Sequence, residues 1–311
     1  MNIVDEQPGL PYSCDVTGHL VFEEGHPLKA SAQVDLHSAS LEGEMVMVKV
    51  IRSISVSNDA RRKSAEAGNL NSRHTMTLIC EQKIAREVDK LTALKHVNVL
   101  PYRGFCFYPT ASPESGRNTW LFSVVSPKVQ GGTLSEYVRN QDVDHLILAS
   151  GVADGLNYLH KQGIVHGALK SSNIFVQDNV PKLAEPSLNV LTPLLPSDSL
   201  SLTTDGPSDT LRWMAPEQVL SNSDPTVEAD IWAFGCILME LLTKVVPYAE
   251  CKVDAQVMLR MEEKKAPTSL LVDLGVFGSG LDLEFGKICT GCWHFDPQAR
   301  SPLGVIVKAL K

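Results

Sequence analysis

Cys289 and Cys292 stand at the C-x-x-C spacing that thiolate metal sites use, among seven cysteines at 14, 80, 106, 236, 251, 289 and 292. A closed zinc site takes four ligands. No second Cys pair and no spaced His pair accompanies this one, so no metal is assigned to it. An odd, scattered set of thiols suits reduced, mostly buried side chains, and a cytoplasmic location is expected. Ser197, Ser199, Ser201, Thr203, Thr204, Ser208 and Thr210 crowd hydroxyls into one Pro-containing stretch, where phosphorylation is the chemistry to expect. Arg61-Arg62-Lys63 reads as a solvated charge run. The net charge of −8 argues against nucleic acid, which wants a basic face.

The elements that must carry such residues divide the 311-residue chain once. A chain that is 43% hydrophobic and 21% charged can bury a sizeable core, which excludes a disordered or low-complexity protein. The longest mostly apolar run, Trp232 to Leu242, is too short for a membrane span. Met1–Leu20 lacks the basic start and apolar core of a secretion signal. Leu41–Ile51 is valine-rich and reads as a buried strand, as does Trp120–Val129. Ser53–Arg73, rich in Ser, Asn, Arg and Lys, reads as an exposed loop. Cys80, Ile84, Val88, Leu91 and Leu94 recur at helical spacing. Beyond Gly131–Gly132 helices dominate. Ile147, Val152, Leu156 and Leu159 mark one face of a helix, Ile174–Val176 and Lys182–Ala184 two short strands around Asp178–Asn179, and Pro193–Thr210 a loop. Glu228–Thr243 is apolar almost all round, the mark of a helix buried in a core. A strand-rich region followed by a helix-rich one is an α+β plan.

A series of landmarks in one order then resembles a protein kinase over nearly the whole chain. Val46-Met47-Val48-Lys49 is similar to the strand-lysine motif, and Glu87 with the residues to His96 is similar to the C-helix glutamate and its following leucines. Tyr158-Leu159-His160 and Ile164-Val165-His166 lead into a stretch that resembles the catalytic loop, His166-Gly167-Ala168-Leu169-Lys170-Ser171-Ser172-Asn173. Arg212-Trp213-Met214-Ala215-Pro216-Glu217, Asp230-Ile231-Trp232-Ala233-Phe234-Gly235, and Cys292-Trp293 with Asp296-Pro297 and Arg300 complete the set. The Trp-Met-Ala-Pro-Glu and Cys-Trp segments look most like the tyrosine-kinase and tyrosine-kinase-like branches. The resemblance implies a bilobal α+β fold: an N-terminal tail over 1–17, a β-rich N-lobe with its C-helix over 18–128, and an α-helical C-lobe over 129–311.

What the resemblance implies about chemistry is mostly loss. A kinase needs a glycine-rich loop over the phosphates, a lysine on them, a glutamate orienting that lysine, metal ligands, and an aspartate accepting the hydroxyl proton. The aspartate position is Ala168, whose methyl cannot take a proton, and the arginine position is Gly167. The metal-binding D-F-G reads Glu185-Pro186-Ser187, with the carboxylate one methylene further out and a proline that fixes φ. Gly25 stands near the first phosphate-loop glycine, while later glycine positions fall on Pro27 and Ala30. Met47 and Phe175 are larger than the family residues that roof and floor the adenine, so they are expected to fill that slot. At the hinge, Pro127 offers a carbonyl and Val129 an N–H.

Lys49, Glu87, Lys170 and Asn173 are kept. One reading makes them a residual nucleotide site, with Lys49 on phosphate, Glu87 holding Lys49, and Asn173 with Glu185 as the weak metal candidates. The other makes them structural: an ion pair, and a loop lysine and amide bonded to their neighbours. The resemblance assigns structural roles to the Glu217–Arg300 pair, to His166 as a core histidine, and to Asp230 as a cap on the loop backbone. It implies a pseudokinase that signals as a scaffold or allosteric module, with weak or no ATP binding and no required cofactor. Its partners would be other signalling proteins, an active kinase among them, with no nucleic acid and no membrane span. The alternative is a low-activity atypical kinase that passes phosphate from ATP to Ser, Thr or Tyr with Glu185 on the metal. A segment of the receptor guanylate cyclase kind also carries His-Gly at this loop, but expects a membrane span and a cyclase-length extension. The loop and Glu-Pro-Ser stretches further resemble pseudokinases of the mixed-lineage-kinase-like and receptor-associated groups.

Overall fold

Val46, Val48 and Val50 alternate with Met47 and Lys49 along one strand, and the alternation sorts the two sets onto opposite faces. The valines are at most 1% exposed and join Ala39, Cys106 and Val125 in one apolar cluster. The computed structural model describes residues 14–23, 26–30, 34–57, 88–111, 118–186, 210–267 and 281–311. They fall into two compact units, one within 1–95 and 100–128, the other within 96–99 and 129–311.

The first unit is a six-stranded antiparallel sheet made of β1 (Leu20–Phe22), β2 (Lys29–Ala30), β3 (Val34–Leu41), β4 (Glu44–Ser57), β5 (Gly104–Ala111) and β6 (Asn118–Pro127). Its order is β1-β3-β4-β6-β5, with β2 also paired to β3. Register sets Lys49 between Leu36 on β3 and Val124 on β6, and Met47 between Ser38 and Ser126. Strand β4 runs on to Ser57, which corrects the expectation of a loop from Ser53. Ser53-Ile54-Ser55-Val56-Ser57 alternates serine with β-branched residues, a strand pattern that the serine-rich composition hid. After an irregularity between Val50 and Ser55, pairing resumes with Ser55 opposite Leu121 and Val56 opposite Trp120. Residues 88–92 are helical, with Val88 and Leu91 buried.

In the second unit the helices are α1 (Leu134–Asn140), α2 (His145–Lys161), α3 (Pro216–Ser221), α4 (Val227–Thr243), α5 (Asp254–Glu262), α6 (Leu281–Cys292) and α7 (Leu303–Ala309). A hairpin joins β7 (Ile174–Gln177) to β8 (Val180–Leu183). Its two turn residues, Asp178 and Asn179, both hold positive φ, the backbone a two-residue hairpin wants. A capping box between Thr133 and Glu136 starts α1, and the Asp144 carboxylate caps α2. The buried face of α2 is Leu148, Ala149, Val152, Leu156 and Leu159, whereas Ile147 is 54% exposed. That corrects its expected place on the apolar face: it lies one helical step off the stripe.

Helix α4 is buried from Ala229 to Leu241, as its all-round apolar character requires. A Cβ at Gly235 would stand 2.7 Å from Cys292 Cβ and from the Trp293 ring nitrogen, so the close approach of α6 depends on that glycine. A sheet unit followed by a helical unit is the bilobal α+β plan that the motifs implied.

Candidate functional site

The loop 166–173 lies between α2 and β7 and takes its shape from α4. Asp230, 2% exposed, accepts the N–H groups of His166 and Gly167, each at 2.8 Å, and contacts His160 Nε2 at 2.8 Å. An anion facing two backbone donors fixes the loop more firmly than neutral bonds would. Gly167 holds φ +72, a backbone that suits glycine and costs other residues. The structure thus gives Asp230 the capping role expected of it.

His166 is fully buried, and burial pushes its imidazole below the usual histidine range. Its Nδ1 accepts from the Ala168 N–H at 3.4 Å, and its Nε2 has no hydrogen-bond partner among the described residues. Asn173 turns its side-chain amide to the Ala168 carbonyl at 2.9 Å, and its own carbonyl accepts from Ala184 N–H at 2.9 Å. Lys170 Nζ donates to Thr210 Oγ1 at 3.0 Å. Ala168 is half-buried, and from His166 to Asn173 the loop contains no carboxylate.

A residue that the motif comparison passed over holds the far end of this loop. Glu240 on α4 accepts Ser171 Oγ at 2.9 Å and Trp213 Nε1 at 2.7 Å. Burial pushes its carboxyl up to about 7, against the pull of Trp213, Ser171 and Arg139. Its signal in the sequence is that it is the one charged residue in the run Trp232–Leu242. Arg212, from the Arg-Trp-Met-Ala-Pro-Glu landmark, donates to the carbonyls of Pro247 at 2.9 Å, Cys251 at 2.6 Å and Tyr248, clipping the 247–251 segment to its own.

Glu217 and Arg300 meet as expected, through two parallel bonds of 2.7 Å. Arg300 also donates to the carbonyls of His294 and Glu228 and lies over the Trp232 ring at 5.2 Å. Such a forked, fully bonded guanidinium is a structural pin.

The remaining candidates belong to different units. Met47 and Lys49 are half-buried on the same face of β4, in the sheet unit. In the helical unit, Phe175 is half-buried on β7 and bridges to Thr133, while Val129 is half-buried at the start of the unit. Glu185 is half-buried with φ +65, strained for a residue with a Cβ. Pro186 after it is buried. Gly25, Glu87 and Ser187 lie outside the described residues. Cys289 and Cys292 are buried free thiols, and burial raises both. Among the described residues no group of three or more His, Cys, Asp or Glu could hold a metal ion, and no helix is long and apolar enough to cross a membrane.

The family model for protein tyrosine and serine/threonine kinases matches residues 69–310. The chain is 30% identical over 304 residues to mitogen-activated protein kinase kinase kinase 10 of Mus musculus, covering 91% of this chain and 29% of that protein. It is 34% identical over 176 residues to mitogen-activated protein kinase kinase kinase 9 of Arabidopsis thaliana, 55% of this chain and 21% of that one. With the mitogen-activated protein kinase kinase kinase of Drosophila melanogaster it shares 28% over 243 residues, 73% of this chain and 18% of the relative. The chain therefore spans less than a third of the length of these relatives.

Proposed function

The chain belongs to the protein tyrosine and serine/threonine kinase family, with a tyrosine-kinase-like relationship to mitogen-activated protein kinase kinase kinases, and from that premise we propose that it is a pseudokinase. It signals by binding, as a scaffold or allosteric module for other signalling proteins in the cytoplasm, an active kinase among them. The observation that carries this reading is the loop 166–173: bonded to α4 by Asp230, closed on itself by Asn173, and carrying Ala168 where the family places its proton acceptor.

Magnitudes support it. Losing a positioned general base costs roughly 10²–10⁴ in rate. From kinase turnover of roughly 1–100 per second, that leaves marginal transfer. Asn173 spends its amide on the Ala168 carbonyl, and Glu185 carries a longer side chain than aspartate on a strained backbone. Weakened metal binding acts on the same transition state, so the losses do not multiply, but they run in one direction. Met47 and Phe175, both larger than the usual residues, favour weak or absent ATP binding, and no cofactor is required.

The test is phosphate transfer from radiolabelled ATP to peptides and to the chain itself, alongside Lys49→Met. No incorporation above that variant is expected. Incorporation that disappears in Lys49→Met would overturn the reading in favour of a weak kinase using Glu185 on the metal.

A further inference from the structure

Helix α1 turns Leu134 and Val138 inward, and the C-terminal end of α4 brings Leu241 to meet them around an open recess of about 230 Å³, counting the solvent at its mouth. The floor is polar: Ser171 Oγ donates to Glu240 at 2.9 Å, and both residues are buried. The mouth carries two cations. Arg139 lies one turn beyond Ser135 on α1, and Lys244 four residues beyond Glu240 at the end of α4, so each stands on the face that lines the recess. Both are exposed, and among the described residues neither is in an ion pair. Lys244 is also costly where it stands. It closes α4 with φ +58, the left-handed cap that glycine fills without strain. A lysine in that backbone needs a reason outside the helix.

We propose that this recess is a docking site for an acidic segment of a partner protein, with one Asp or Glu carboxylate entering between Arg139 and Lys244 and a neighbouring apolar side chain resting on the Leu134, Val138 and Leu241 wall. The site deepens the proposed binding function of the chain and rests on that reading. Size, charge and the state of Glu240 select the occupant. The volume is below the roughly 300–1,000 Å³ of small-molecule sites, so the recess takes the end of a side chain rather than a nucleotide. Two unpaired cations at one mouth are a local exception on a chain of net charge −8, so an acidic segment is attracted here and repelled over most of the surface. The one anion in the recess is weak. Glu240 is 5% exposed and accepts from Ser171 and Trp213, and burial raises its carboxyl to about 7, so it is only partly ionised at neutral pH. A basic segment would meet Arg139 and Lys244 first.

The test is an NMR titration of the full chain, without ATP, with peptides Ser-Ala-Leu-X-Leu-Ala-Ser capped at both ends, where X is Glu, Asp, Gln or Lys. The Glu and Asp peptides should shift the amide signals of residues 134–139 and 241–244 and bind about tenfold tighter than the Gln peptide. The Lys peptide should not bind. Arg139→Gln and Lys244→Gly should each weaken the Glu peptide about three- to fivefold and leave the Gln peptide unchanged. Lys244→Gly should lower the melting temperature by no more than about 2 °C, because glycine suits that backbone. A larger fall would make Lys244 structural and overturn its docking role. The double change Arg139→Glu, Lys244→Glu should turn the preference to the Lys peptide. Equal binding of the Glu and Gln peptides, binding that ignores both substitutions, shifts confined to other residues, or no binding of the acidic peptides at about 1 mM overturns the site. None of these outcomes bears on phosphate transfer. Incorporation from ATP, measured separately, would overturn the pseudokinase reading instead.

Discussion

Asp230 and Glu240 lie on the same helix, α4, and hold opposite ends of the loop 166–173, yet they keep different company. Asp230 receives two backbone N–H groups and a histidine nitrogen. Glu240 receives one hydroxyl and one indole N–H, and burial wins over them, raising its carboxyl to about 7. The first arrangement is built for an anion. The second leaves a buried carboxyl poised between its two forms. Between these anchors the middle of the loop is Ala168-Leu169-Lys170, with no carboxylate. The side chains that support the loop, Asp230 and Glu240, are thus distinct from the position at which the family carries its proton acceptor, Ala168.

Removing the stronger anchor should have the largest effect. Asp230→Ala leaves two N–H groups and His160 without their acceptor, and a loss of about 4 kcal/mol in urea unfolding is expected, from charged hydrogen bonds worth about 1.5–3 kcal/mol each and not additive. A loss below about 1 kcal/mol would mean that the loop holds its shape without α4.

Glu240→Gln tests the other anchor through pH. The folded carboxyl titrates at about 7 against 4.5 as the ordinary value. The folded state therefore binds more protons than the unfolded one between those values, and stability falls as pH rises from about 4.5 through 7, then levels off. The shift corresponds to about 3 kcal/mol across that window. Glu240→Gln should flatten this slope in melts taken from pH 5 to 8. An unchanged slope would assign the titration to another group.

A smaller effect is expected on the chemistry side. The Met47→Ala, Phe175→Leu double change should cost about 2 kcal/mol in the apo chain, since both residues are only half-buried. It should also create an ATP-induced thermal shift that the natural chain lacks or shows only weakly. A large shift in the natural chain, near the 2.7 kcal/mol that 100 Kd of ligand adds, would contradict a filled adenine slot. Smallest of all, Ala168→Asp should change stability by about 0.5 kcal/mol or less and restore no phosphate transfer. Activity from that single change would mean that the departures at Glu185 and the phosphate loop matter less than Ala168.

The motif order made the fold legible, because hydrophobic alternation in Val46–Val50 and the all-round apolar α4 leave few other ways to bury these side chains. The departures at Ala168 and Glu185 could also be read from residue type, because a methyl group has no proton-accepting atom in any conformation. The capping role of Asp230 and the Glu217–Arg300 pair followed from the family pattern, and the structure supplies their distances. The strand at Ser53–Ser57 is hard to read because its serine-rich composition masks the alternation. Ile147 lies off the buried face of its helix, because one residue's offset turns a helix by about 100°.

What the sequence determined by itself was the inventory: the family, the order of elements, and which chemical groups are absent from the loop. Those follow from local pattern and from functional groups that no folding can add. Only the tertiary structure decided which retained groups meet. Ser171, Trp213 and Glu240 are far apart in the chain and meet at α4, and Lys170 and Thr210, equally distant in sequence, meet in a direct hydrogen bond. The raised carboxyl of Glu240 belongs to that level too, because burial is a property of the packed chain and not of glutamate.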